Sequence, residues 1–198
     1  KANRLSGRAD IKISSGDADI NYLKDGYIIC SYANLHMRET NRVTAQSQSS
    51  VITIEKINTL KLNSRRDKLF INEIGTISGE TYFSSMSLGL LKEEASLASR
   101  FGKITIDDIQ KSFSAINLSS ELTDISLSFA RPMSFHFDLT HHQSVIFGYP
   151  TANAKVSSRV VSADDKIYQT SGFFGTGTSD SKVNIKAPRK CNITISQQ

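Results

Sequence analysis

The sequence predicts an all-β fold: a single-stranded β-helix, or β-solenoid, with turns of about 17 residues and wider, irregular turns and a cap at the C-terminal end. Three observations predict it. One short apolar pattern, h-x-h-x-x-h-x-x-h-x-h, recurs six times, beginning at Ala18, Leu35, Ile52, Leu69, Met86 and Ile104, so that its start advances by 17 four times and by 18 once. Each h-x-h pair alternates with period two, the strand signature. A fixed period of this length marks a repeat architecture, in which one turn cannot bury its apolar face without neighbours.

The inward positions of the first copy are Ala18, Ile20, Leu23, Gly26 and Ile28, and of the second Leu35, Met37, Thr40, Val43 and Ala45. Ile52, Ile54, Ile57, Leu60 and Leu62 form the third and cleanest copy. The fourth is Leu69, Ile71, Ile74, Ile77 and Gly79; the fifth is Met86, Leu88, Leu91, Glu94 and Ser96. Ile104, Ile106, Ile109, Ser112 and Ser114 make the sixth. The spacing of the third copy holds no single helical face, and β-branched alternation disfavours a helix. Leu88–Leu97 has the best helical composition, yet its anchors stay in register, so it reads as strand and loop.

Stacking follows from energetics. Five modest side chains buried by one turn contribute about 1.5–3 kcal/mol each at best. Ordering that turn's backbone costs about 1–2 kcal/mol per residue. A lone turn is therefore unstable, and an array gains inter-strand hydrogen bonds and a shared core.

The chain reads as one domain. The segment 1–17 leads in as a cap, because Ile11 and Ile13 fall one repeat before Ile28 and Cys30. The regular array occupies 18–121, and wider turns with a C-terminal cap occupy 122–198. Lys24, Asn41, Asn58, Gly75, Lys92 and Gln110 form a column suited to a corner where the backbone leaves the extended region. Cys30, Ser47, Ser64, Thr81 and Ala98 form a small-residue column expected at a tight inward corner. After Ser114 the register fails: Leu122 falls one repeat after Ile104, but Asp124 takes the next inward slot. Strands resume at Ile125–Phe129, Phe135–Leu139, Val145–Phe147, Val156–Val161, Ile167–Tyr168, Phe173–Phe174, Val183–Ile185 and Ile193–Ile195. Larger loops are expected at 148–155, 162–171 and 175–182, the natural place for function.

Composition narrows the function classes. No run of 18 apolar residues exists, so no transmembrane helix is expected. Net charge is +5, but the basic clusters, Arg65-Arg66 with Lys68 and Lys186 with Arg189-Lys190, are scattered along the chain. Nucleic-acid binding, which needs a concentrated basic face, is not expected. Cys30 and Cys191 lack metal spacing and sit at opposite ends of the array, so both are expected as free thiols. Lys1 opens the chain without Met or a signal-peptide pattern, which reads as a processed or trimmed start.

No catalytic, cofactor-binding or metal-binding residue is assigned. His136, Asp138, His141 and His142 are ligand types, but outward strand and turn positions account for them more simply than a zinc site does. Asp107 and Asp108 invite comparison with calcium-dependent β-helix lyases. One turn earlier stand Gly89 and Leu90, and two turns earlier Asn72 and Glu73, so no acidic ladder forms. Gly175 and Gly177 precede a strand rather than a helix, which makes them a turn and not a phosphate loop. Tyr22, Tyr27 and Tyr32 fit packing on neighbouring turns better than a sugar platform. Asn117 and Asn192 match the glycosylation pattern, which matters only in a eukaryotic secretory setting.

The turn from Gly102 to Ile109, GKITIDDI, with Ser/Thr-rich outward positions, resembles those of a known family. Phe173-Phe174-Gly175-Thr176-Gly177, followed by the strands Ser181–Ile185 and Asn192–Ile195, is similar to that family's C-terminal cap. The family is the adhesin domains of unknown function common in Bacteroidetes, single-stranded β-helices often called auto-transporter adhesin head-like. The resemblance covers nearly the whole chain; Cys191 and the thinness of glycine in the turns depart from it. It implies an exported bacterial protein of the periplasm, outer-membrane surface or extracellular space, with a recognition or scaffolding role and no catalytic residues to carry over. The expected function is therefore non-enzymatic recognition of a protein or glycan. A structural envelope scaffold is the alternative, and a lyase-like carbohydrate-active β-helix the second.

Overall fold

In the computed structural model, which describes residues 1–197, the chain winds into a β-solenoid of about seven turns with no helix. The first strand, β1 (Leu5–Ile13), pairs in parallel with β2 (Gly16–Ser31), placing Ile11 beside Ile28 and Ile13 beside Cys30. Each of β2, β3 (Ala33–Gln48), β4 (Val51–Arg65) and β5 (Lys68–Tyr82) runs through almost one full turn. Their parallel partners lie one repeat apart throughout, as Ile20↔Met37, Met37↔Ile54 and Ile54↔Ile71 illustrate. The expected anchors become continuous buried columns along one core. Thr40 is the one hydroxyl in the Leu23–Ile57–Ile74 column, and its Oγ1 has no hydrogen-bond partner.

Two insertions correct the later copies. β6 (Ser85–Ile109) gains one residue at a bulge after Leu91, so that Ile77 pairs with Ala95 and Gly79 with Leu97. Ala95 and Leu97 are therefore the inward residues; Glu94 is half-buried and Ser96 exposed. A single extra residue moves every following side chain to the other face, and here that keeps a carboxylate out of the core. The same shift replaces Ala98 by Ser99 in the small-residue column. A longer insertion at 110–114 then makes β7 (Ala115–Phe129) pair with β6 at a wider spacing, Glu94↔Ala115 through Ile104↔Ile125. Ser112 and Ser114 are consequently exposed, and Phe113, Ile116 and Leu118 fill the core instead. Asp124 points away from the core while Ile125 and Leu127 line it.

The far end is built out of sequence order. β12 (Lys182–Ala187) lies between the first half of β7 and β8 (Phe135–His142). β13 (Asn192–Gln197) lies between the second half of β7 and β9 (Ile146–Gly148). The last strands of the chain thus form an interior layer. β11 (Ile167–Phe174) adds to β8 in antiparallel fashion, and β10 (Ala154–Ser162) adds to β11, making the outermost strands. The loop expected over 162–171 is instead a short hairpin turn, with strand continuous from Ile167 to Phe174. Rings fill the wider cross-section here: Phe129 stacks on Phe135 at 4.3 Å, and Phe113 and Phe174 close around them. Cys30 and Cys191 are both free and buried.

Candidate functional site

The sharp corner of the solenoid lies beside the small-residue column, where a tight corner is expected, and not at the Asn/Gly column. Tyr32, Ser49, Arg66, Phe83, Phe101 and Leu122 occupy equivalent positions in successive turns, and all have φ between 52° and 59°. A left-handed residue between extended neighbours folds the chain sharply, and without glycine it costs about 1–2 kcal/mol. Backbone bonds hold these corners in register. The amide of Tyr32 donates to the Gln48 carbonyl, Ser49 to Arg65, Arg66 to Tyr82 and Phe83 to Arg100, at 2.8–3.0 Å. The Asn column forms the gentler bend, where Asn58 donates to the Asn41 side chain at 2.9 Å.

Inside the corner, small side chains flank each left-handed residue. Cys30, Ser47, Ser64, Thr81, Ser99 and Ser120 stand on one side, and Ala33, Ser50, Asp67, Ser84 and Thr123 on the other. Asp67 is 2% exposed. Its carboxylate accepts from the hydroxyls of Ser47 (2.5 Å) and Ser64 (2.6 Å) and from the amides of Ser50 (2.7 Å) and Arg65 (3.0 Å). Four donors replace the water that burial strips from the charge, so no cation is needed beside it. This column is structural: it pins the backbone at the bend and leaves the six corner side chains facing outward.

Outside the corner, those side chains form a ridge. Tyr32, Phe83 and Leu122 are 65%, 49% and 44% exposed. Phe83 stacks on Phe101 with centroids 4.8 Å apart and planes 13° apart, and Tyr82 meets both edge-on. The Arg65 guanidinium lies over the Tyr82 ring at 5.4 Å. The basic clusters that are scattered in sequence come together here. Arg65, Arg66 and Lys68 border one stretch of the ridge and Arg100 and Lys103 the next, with Arg189 and Lys190 at its far end. Acidic residues share this edge, Glu80 beside Tyr82 and Arg100 among them. Glu121 is ion-paired with Arg100 at 3.2 Å, and Asp124 accepts from the Asn192 amide at 2.7 Å. A cleft of about 500 Å³ lies at the far end between Leu122, His142 and Arg189.

The other residues considered from sequence are dispersed. His136 and Asp138 face away from the buried Phe135, Phe137 and Leu139, as alternation requires. His136 meets the Phe173 ring edge, His141 bonds Thr170, and His142 bonds Ser144. Among the described residues, no three His, Cys, Asp or Glu side chains are grouped to hold a metal ion. Asp107 and Asp108 are both exposed on β6. Gly175 has φ 103° and would bring a Cβ within 2.5 Å of the Met133 carbonyl, so this segment is a turn packed on 133–134. Tyr22 lies under Arg4 and Tyr27 is half-buried; Tyr32 alone of the three joins the ridge. Asn117 accepts from Asn184 at 2.9 Å, beside a groove of about 520 Å³ whose lining includes Gly79, Leu97 and Ala98. Burial pushes both thiols up from their ordinary pKa.

The ridge was not legible as turn chemistry, because none of its six positions is Gly or Asn. The available signal was indirect: large or charged residues recur midway between two small-residue columns with the solenoid period. Comparison of the chain with protein-family models, curated proteins and solved structures gives no match in any of the three.

Proposed function

We propose that this protein is a non-enzymatic recognition module of the cell envelope or surface, adhesin-like in role, which engages a protein or glycan ligand along its corner ridge. One observation carries the reading. At four of six left-handed corners the chain holds Tyr32, Phe83, Phe101 and Leu122, where Gly or Asn would relieve strain, and it leaves Tyr32, Phe83 and Leu122 exposed and Phe101 half-buried. Strained backbone that displays bulky side chains is the pattern expected of a binding surface. Exposed aromatic and arginine side chains are also the groups that dominate recognition energetics. The stacked layers beneath supply a rigid base, which limits the ordering cost of binding.

The test is a screen of the folded chain against glycan and extracellular-protein panels. A signal lost in Phe83→Asn/Phe101→Asn and kept in Thr59→Ala, an exposed position away from the ridge, supports the reading. A folded chain with no signal on either panel supports the scaffold alternative. Labelling intact cells with a membrane-impermeant reagent tests the compartment, and protection from it counts against a surface role.

A further inference from the structure

We propose that the corner ridge binds a linear acidic polysaccharide laid along the solenoid axis. Its sugar rings lie against Phe83, Phe101 and Leu122, and its carboxylates or sulfates meet the flanking arginines and lysines. This rests on the reading of the ridge as a recognition surface and names the ligand class for it.

Three features converge on that class. The first is charge. Seven basic side chains border the ridge, from Arg65 to Lys190, against three carboxylates: Glu121, which takes up Arg100; Asp124, held by the Asn192 amide; and Glu80, beside Tyr82 and Arg100. Arginine in particular matches planar or tetrahedral oxyanions with two parallel N–H donors. The second is ring chemistry. The C–H faces of a pyranose pack on aromatic surface, while its charged substituents project sideways, where the arginines stand. The third is period. Successive layers place equivalent side chains about 4.8 Å apart. An extended pyranose chain advances by a comparable step per sugar, so one ring can meet each layer. An extended nucleic-acid strand takes a longer step per base and loses that register.

Other occupants fit less well. A lipid surface needs a broad apolar face to insert, and the ridge is a single file of side chains in which Ser49 and Arg66 separate Tyr32 from Phe83. A second copy would bring one basic ridge against another, and such juxtaposed like charges oppose association.

The full chain is titrated with a heparin-derived oligosaccharide and an oligogalacturonate. Controls are their desulfated and carboxyl-reduced counterparts, an oligo-dT strand, and phosphatidylcholine vesicles containing phosphatidylserine. At least one acidic oligosaccharide is expected to bind, with log affinity falling linearly against log salt. Arg65→Gln/Arg66→Gln and Phe83→Asn/Phe101→Asn should each lower that affinity about tenfold or more. Asparagine tolerates the left-handed corner, so the second variant keeps its fold. Equal binding of the neutral counterparts, tighter binding of oligo-dT or vesicles, or unchanged affinity in both variants overturns the proposal. Two further results separate it from the broader reading. A neutral glycan or protein that binds and is lost in Phe83→Asn/Phe101→Asn sinks the ligand class alone. A folded chain that binds nothing sinks both.

Discussion

Ser47 donates its hydroxyl to the carboxylate of Asp67 across 2.5 Å, reaching from one layer of the solenoid into the next. The bond ties two turns together at the point where each reverses direction, and Asp67 gathers three more donors there. Asp67→Ala leaves the Ser47 hydroxyl and the amides of Ser50 and Arg65 without this acceptor, while the Ser64 hydroxyl keeps Ser84, so a loss of about 2–3 kcal/mol is expected. Asp67→Asn keeps one acceptor oxygen but turns an amide nitrogen toward existing donors, for a loss of about 1–2 kcal/mol. Urea unfolding of the three proteins measures both. An alanine variant as stable as the parent would remove Asp67 from the account of the corner.

The one-residue shift in β6 makes a sharp prediction. Ser96 is exposed and Leu97 is buried, the reverse of what an unbroken repeat requires. Ser96→Asp should change stability by no more than about 0.5 kcal/mol. Leu97→Asp should lose several kcal/mol, about 3 or more, because it opens a cavity and buries an unpaired carboxylate. Far-ultraviolet circular dichroism through a urea titration separates the two. If the serine variant is the damaged one, the register is wrong.

That pair also shows where sequence reading stops. The columns through Ile54, Ile57 and Leu62 are legible because each turn repeats the same spacing and nothing competes with it. The bulge after Leu91 is not, because an unbroken 17-residue spacing puts Glu94 and Ser96 in the inward slots, and only the cost of burying the carboxylate moves them out. The layer order of β12 and β8 is hidden for a different reason. Val183 and Ile185 alternate like any strand, and nothing local says that they meet Ile116 and Leu118, far back along the chain. The ridge combines both difficulties: its left-handed corners carry Phe and Leu where turn chemistry would show Gly or Asn, and its basic residues converge only after stacking.

Cys30 and Cys191 are buried, and desolvation raises both thiol pKa values, partly offset by hydrogen bonds from Ser50 and Ser120. The thiolate is the reactive species, so both groups should be inert at neutral pH while the fold holds. Titration with an aromatic disulfide reagent is expected to find essentially no reactive thiol in the native protein and both after denaturation. Rapid labelling of either residue in the native state would show that its layer opens readily.

Glu73 carries the pH dependence that the surface ladder predicts. Its carboxylate lies 2.5 Å from Lys92 Nζ and 3.3 Å from Lys56 Nζ, on the turns above and below. The hydrogen bond from Lys92 is the largest cause of its lowered pKa, Lys56 adds to it, and partial burial opposes both. A folded-state pKa below the unfolded value means that the charged form stabilises the fold. That contribution is fully present above the ordinary value of 4.5 and disappears as pH falls through the lower folded-state value. Because the three side chains are 30–51% exposed, the ladder contributes under about 1 kcal/mol. Glu73→Gln should therefore be slightly less stable than the parent at neutral pH. The gap should narrow as acid protonates Glu73, and narrow also in high salt, which screens the ion pairs. Urea midpoints of parent and variant at neutral pH and at about pH 3 measure the effect. A gap that stays constant or widens in acid would mean that Lys92 and Lys56 do not stabilise the fold through this carboxylate.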